Sequence, residues 1–122
     1  MWVGSSREDL SAFPGPARRE AGYALYLAQM GTRAIKANPL KGFGGAGVLE
    51  IVADCAGNAY RAVYTVRFPR AVYVLHAFQK KSKKGISTAK SEMDLVRRRL
   101  RIATAEYKRA YGSKGHEAES SP

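Results

Sequence analysis

The sequence predicts an α+β fold in which an N-terminal helical hairpin packs on a small antiparallel β-sheet and a C-terminal helix follows. Three observations carry this reading. Small and apolar residues recur at helical intervals before residue 31, three β-branched and aromatic runs separated by short turns fill residues 48–78, and an apolar stripe runs through residues 89–107. With 122 residues, 45% of them hydrophobic and 25% charged, the chain can bury one core. It is read as a single domain, 1–122, with its core at about 5–110 and a flexible tail at 111–122.

Trp2-Val3 can form a short edge strand, and Arg7 to Phe13 is compatible with a helix that Pro14 stops or restarts. From Pro16 onward Ala17, Ala21, Ala24/Leu25 and Ala28 share a helical face, and Gly31 is placed to end the helix in the left-handed region. Residues 38–47 hold four glycines and read as a loop, without the Gly-Lys-Ser/Thr of a phosphate-binding loop.

Strands are expected at Val48–Asp54, Ala59–Phe68 and Ala71–Phe78. The intervening turns, Cys55-Ala-Gly-Asn58 and Pro69-Arg70, are short enough to force antiparallel neighbours. Alternation puts Tyr60, Ala62, Tyr64, Val66 and Phe68 on one face of the second strand and Arg61, Val63, Thr65 and Arg67 on the other. In the third strand it groups Val72, Val74, His76 and Phe78. The last helix starts near Thr88, a capping residue, with Glu92 and Asp94 in its early turns. Its stripe of Ala89, Met93, Val96, Leu100, Ala103 and Tyr107 reads as a packing seam.

No apolar run approaches the roughly 18 residues needed to cross a bilayer, and Met1-Trp2-Val3 is not a signal-peptide core. The chain is therefore expected in the cytoplasm with no membrane partner. Cys55 is the sole cysteine, so neither an internal disulfide nor a cysteine-based zinc cage is available. The net charge is +11, and its distribution is uneven. Residues 1–79 carry 9 basic and 5 acidic side chains, residues 80–114 carry 12 and 3, and residues 115–122 carry none and 2. A field of this sign favours nucleic acid or an acidic protein as partner.

Four lysines, Lys80, Lys81, Lys83 and Lys84, fall within five positions between the third strand and the last helix. Their mutual repulsion would be relieved by a phosphate backbone. Together with Arg61 on the neighbouring strand they form a cationic pocket suited to a phosphodiester. Cleavage of RNA there needs little further equipment, because the ribose 2′-hydroxyl is an internal nucleophile. Arg and Lys stabilise the charged phosphorane, a lysine of lowered pKa can act as base, and His76 or Tyr64 can shuttle a proton. No clustered carboxylates suggest a two-metal site, and neither metal nor cofactor is expected. Arg97, Arg98 and Arg101 on the last helix are assigned to RNA contact and steering.

The order Gly47-Val-Leu-Glu50-Ile, Tyr60-Arg-Ala-Val-Tyr64, then Leu75-His-Ala-Phe78-Gln-Lys-Lys-Ser-Lys-Lys84 and a helix resembles the RelE/ParE superfamily of toxin–antitoxin toxins. Within it, the phage-derived HigB-like branch is the nearest. The resemblance implies an mRNA endonuclease acting at the ribosome, with mRNA and ribosomal RNA as partners, held in check by a cognate helix-turn-helix antitoxin. Arg61 matches the family's phosphate-contacting arginine, and Lys80 and Lys81 its basic pair. The chain departs from RelE-type members in carrying Glu50 and Val52 where those have lysines, and in lacking a tyrosine over Gly85–Thr88. The general base therefore stays open among His76, Lys83, Lys84 and Tyr107, with Glu50 and Tyr64 as supporting groups. Two alternatives within the same fold are a ParE-like inhibitor of DNA gyrase and a non-catalytic basic RNA-binding protein. An acidic or amphipathic antitoxin segment is expected to cover the basic pocket or the sheet beside it.

Overall fold

A computed structural model describes residues 1–45, 47–80 and 90–120, with side chains to residue 112. Its elements are α1 (Ser6–Ser11), α2 (Gly15–Gln29), β1 (Ala37–Pro39), β2 (Val48–Cys55), β3 (Asn58–Thr65), β4 (Val74–Lys80) and α3 (Lys90–Ser120). The four strands form one antiparallel sheet in the order β1-β2-β3-β4. This is the expected α+β architecture.

The helical hairpin forms where the small-residue seam places it. Ala17, Ala21, Ala24 and Leu25 are buried along α2, and they pack with Leu10 and Phe13 against Leu49, Ile51, Ala53, Ala62 and Tyr64 on one face of the sheet. Methyl-sized side chains let the helix lie close to the strands. Gly31, at φ +82°, ends α2, with its amide bonded to the Ala28 carbonyl and that of Thr32 to the Leu27 carbonyl. This pair of bonds is the Schellman motif that a glycine at this position favours. On the opposite face α3 lays down its stripe: Val96, Ala103 and Tyr107 are buried and Met93 and Leu100 half-buried against Val48, Val63, Phe68, Tyr73 and Leu75. The helix is interrupted at Gly112, φ +74°, beyond which helical backbone resumes to Ser120.

Cys55 pairs with Asn58 across a two-residue turn whose residues, Ala56 and Gly57, both have positive φ (54° and 83°). That is a type I′ hairpin, matched to strand twist, but an alanine in the left-handed region carries a cost of about 1–2 kcal/mol. Ala56→Asn should therefore raise stability by about 0.5–1 kcal/mol, measured by denaturant unfolding. No change, or a loss, would mean the turn is not strained at that residue.

Three details differ from the sequence expectation. The Pro-containing stretch read as loop contributes a short edge strand, β1, with Asn38 opposite Glu50 and Pro39 opposite Leu49. Proline is tolerated there because an edge strand leaves one row of amides unused. The β3–β4 connection is longer than Pro69-Arg70, since β3 stops at Thr65 and Phe68 turns to stack on Tyr107 at 4.7 Å. Finally, Val63 faces His76 while Tyr64 faces Val74, so Leu75 is an extra residue in β4. This bulge breaks the strict alternation. Val74 packs on the hairpin face, whereas Tyr73, Leu75, His76 and Phe78 belong to the α3 face. Trp2 makes a parallel bridge to Val74, as the short edge-strand reading of Trp2-Val3 anticipates.

Candidate RNA-binding and catalytic site

The antiparallel register sets the site out in three cross-strand rows on the α3 face of the sheet. Glu50, Val63 and His76 form the first, Val52, Arg61 and Phe78 the second, and Asp54, Ala59 and Lys80 the third. Period-2 alternation keeps members of successive rows on one face, so Glu50, Arg61, His76 and Lys80 converge from three strands.

Arg61 is the central group. Its residue is only 9% exposed, and its Nη1 donates to Glu50 Oε2 in an ion pair whose side chains are 11% and 14% exposed. Its Nε is buried and has no hydrogen-bond partner among the described residues. A guanidinium held this far from water with an unused donor is expensive, and the cost falls when an anionic oxygen takes the remaining N–H groups. Beside it the Lys80 amine is held below the ordinary lysine range, chiefly by burial and then by the Arg61 charge, with Glu50 opposing. The arrangement combines a fixed cation, a carboxylate that orients it, and an amine whose pKa lies below the ordinary lysine value.

His76 is buried, its Nε2 lies 2.7 Å from Glu92 Oε1 in the first turn of α3, and its ring stacks on Phe78 at 4.6 Å. The imidazole thereby ties β4 to the start of α3, on either side of the lysine segment. Removing Glu92 strands a buried ring nitrogen, so Glu92→Ala should lower stability by about 1–3 kcal/mol in thermal or denaturant unfolding. An unchanged midpoint would show that the pair does not hold the helix.

Tyr64 points to the hairpin face, fully buried, with its hydroxyl ionisation pushed up mainly by burial, so it is not brought to Arg61. Tyr107 is equally buried, between Phe68 and Tyr111, and is likewise a packing residue in this structure. Lys81, Lys83 and Lys84, with Thr88 and Ala89, lie outside the described residues. Arg97, Arg98 and Arg101 are exposed on α3. Arg97 sits over the Phe43 ring at 5.5 Å and pairs with Asp94 at 3.3 Å.

Some contributors were not singled out from sequence. Arg67 and Lys108 join Arg101 along a shallow groove of about 450 Å³ between α3 and the β3–β4 connection. Arg67 and Lys108 are 41 residues apart in sequence, and only the packing of α3 on the sheet reveals them as neighbours. Glu92 was legible as an anion at a helix start but not as the partner of a strand histidine. No group of three or more His, Cys, Asp or Glu side chains among the described residues could hold a metal ion. No helix among the described residues is long and apolar enough to cross a membrane.

Residues 8–101 match the model of the family described as phage-derived Gp49-like proteins (DUF891). The chain belongs to the Gp49-like family. This is a family of toxin–antitoxin toxins within the RelE/HigB-like superfamily, and membership implies a cognate antitoxin partner. No curated protein matches the chain. The matched span of this Gp49-like toxin takes in most of the hairpin, the whole sheet and the first part of α3, and therefore every described residue of the Arg61 site.

Proposed function

We propose that this Gp49-like toxin is an mRNA endonuclease that acts at the ribosome, of the HigB-like kind. The observation that carries the reading is Arg61: a nearly buried guanidinium oriented by Glu50, with a spare donor, next to an amine of lowered pKa. Arg61 takes the non-bridging oxygens of the scissile phosphate and stabilises the charge that builds in the phosphorane. Lys80 accepts the 2′-hydroxyl proton; the 2′-oxygen–phosphorus bond forms as the phosphorus–5′-oxygen bond breaks, and water returns a proton to the 5′ oxygen. The products are a 2′,3′-cyclic phosphate and a 5′-hydroxyl. The step draws its nucleophile from the substrate and runs without a metal. Lys81, Lys83 and Lys84 extend the phosphate contacts. Arg67, Arg97, Arg98, Arg101 and Lys108 raise the rate of encounter with ribosomal RNA through the positive field on the α3 side.

Mapping transcript ends after induction tests this directly, together with translating ribosomes carrying an mRNA with a single 2′-deoxy nucleotide at the cleavage position. The expected result is cleavage with 2′,3′-cyclic phosphate ends and none at the deoxy position. Growth arrest with intact mRNA and a DNA-damage response would overturn the reading in favour of gyrase inhibition.

A further inference from the structure

A cavity of about 660 Å³ lies at the other end of the sheet from Lys80. It opens between the C-terminal end of α2 and the β3–β4 connection, where Val74 begins β4; Lys80 closes the same strand about 20 Å away. Its floor is apolar, built by Leu49, Phe68 and Val72, and its rim carries Arg33 and Arg70, both exposed and without a carboxylate partner among the described residues. Arg70 lies over the Tyr111 ring at 5.5 Å, which holds the cation at the mouth.

A second cavity of about 250 Å³ continues the first, sharing Met1, Gln29 and Val72 with it and reaching Trp2 and Tyr26. Along its edge α2 exposes Tyr23, Tyr26 and Met30 at 61%, 56% and 64%. Their spacing of three and four residues makes one continuous stripe on the solvent side of the helix. Large side chains left in water in a connected patch mark an interaction surface.

We infer that this groove is where the cognate antitoxin docks, through an amphipathic segment whose apolar side chains fill the floor and whose acidic side chains meet Arg33 and Arg70. The floor decides the class of partner. A nucleic acid backbone would face apolar side chains along the bottom of the groove and meet cations only at the rim, whereas an acidic amphipathic segment matches both parts. The inference rests on the toxin–antitoxin membership and not on the cleavage chemistry. It differs from the expectation that the lysine pocket itself is covered: the antitoxin holds the end of the sheet remote from Arg61.

The test titrates the cognate antitoxin, taken as the helix-turn-helix product of the adjacent reading frame, against wild-type toxin, Arg33→Glu/Arg70→Glu, Tyr26→Ala/Met30→Ala and Arg61→Ala. Unfolding curves confirm that each variant is folded. Affinity should fall about tenfold or more in both groove variants and stay within about threefold in Arg61→Ala. In cells, the Arg33→Glu/Arg70→Glu toxin should still arrest growth and escape neutralisation. Unchanged affinity in both groove variants would overturn the inference, as would a loss confined to Arg61→Ala. A groove variant that loses ribosome binding while keeping antitoxin affinity would assign the surface to RNA and also overturn it. The affinities are read from binding, so they stand whether or not the toxin proves to cleave RNA.

Discussion

Arg61→Ala is expected to lower mRNA cleavage on translating ribosomes by about 10²–10³-fold and to abolish growth inhibition, the loss seen when one preorganised donor to a developing oxyanion is removed. The effect is large because the guanidinium is fixed before substrate arrives: β3 places it between Val52 and Phe78, and Glu50 orients it. Arg61→Lys should recover little, since an ammonium is a point charge without the planar fork that can bond Glu50 and a phosphate together. Truncating one partner of a mostly buried pair also strands the other, so Arg61→Ala is expected to lose stability as well as activity. The double variant Glu50→Leu/Arg61→Met separates the two effects. It replaces the ion pair with apolar side chains of similar volume and should unfold at or above the wild-type midpoint while remaining inactive. Cleavage rates on programmed ribosomes and unfolding curves for the three variants check this set. Full toxicity in Arg61→Ala would remove Arg61 from the chemistry.

Much of the architecture was legible because its signals are local. The α2 seam, the Gly31 stop, the Cys55–Asn58 turn and the α3 stripe each follow from spacings within one element, and all four recur in the structure. What was hidden depends on contacts between elements. β1 is three residues long and exists only through its pairing with β2, so nothing in Ala37-Asn-Pro39 announces it. The bulge at Leu75 is set by how β4 docks on β3 and moves Val74 away from His76, which no alternation rule foresees. The same distinction governs the site. Arg61 on the face opposite Tyr64 follows from parity alone, whereas the Glu50–Arg61 pair needs the β2–β3 register and the His76–Glu92 pair needs α3 to cross the sheet. The groove at the far end was invisible for a further reason. It is assembled from the N-terminal residues, the end of α2, the β3–β4 connection and Tyr111, segments that share no motif.

The net charge takes on a more specific meaning once these contacts are known. Of the cations on the α3 face, Arg99 donates to the Leu75 carbonyl and Ser5 Oγ and so pins the helix to the sheet, while Arg97, Arg98 and Arg101 stay exposed. Charge-reducing substitutions at the exposed positions act on encounter and on salt dependence. In the proposed mechanism, those at Arg61 and Lys80 act on the bond-breaking step.

Lys80 carries the second large effect, and its pH dependence tells a base from a simple charge. The amine is lowered from the ordinary lysine value of 10.5 by burial and by Arg61, and Glu50 acts in the opposite direction. If the free amine takes the 2′-hydroxyl proton, cleavage rises with pH as that amine deprotonates and levels off at a lower pH than an unperturbed lysine would give. Lys80→Arg keeps the positive charge but remains protonated at every accessible pH, so cleavage should fall by about 10²–10⁴-fold and the rising limb should vanish. The neighbours supply a further check through the sign of their influence. Glu50→Gln removes the group that raises the Lys80 pKa and should move the limb to lower pH; Arg61→Ala removes one that lowers it and should move the limb of the residual activity upward. Single-turnover rates on programmed ribosomes across pH, for the wild type and these three variants, measure both the loss and the direction of each shift. A Lys80→Arg toxin that cleaves at the wild-type rate would reduce Lys80 to a phosphate contact and pass the role of base to another residue.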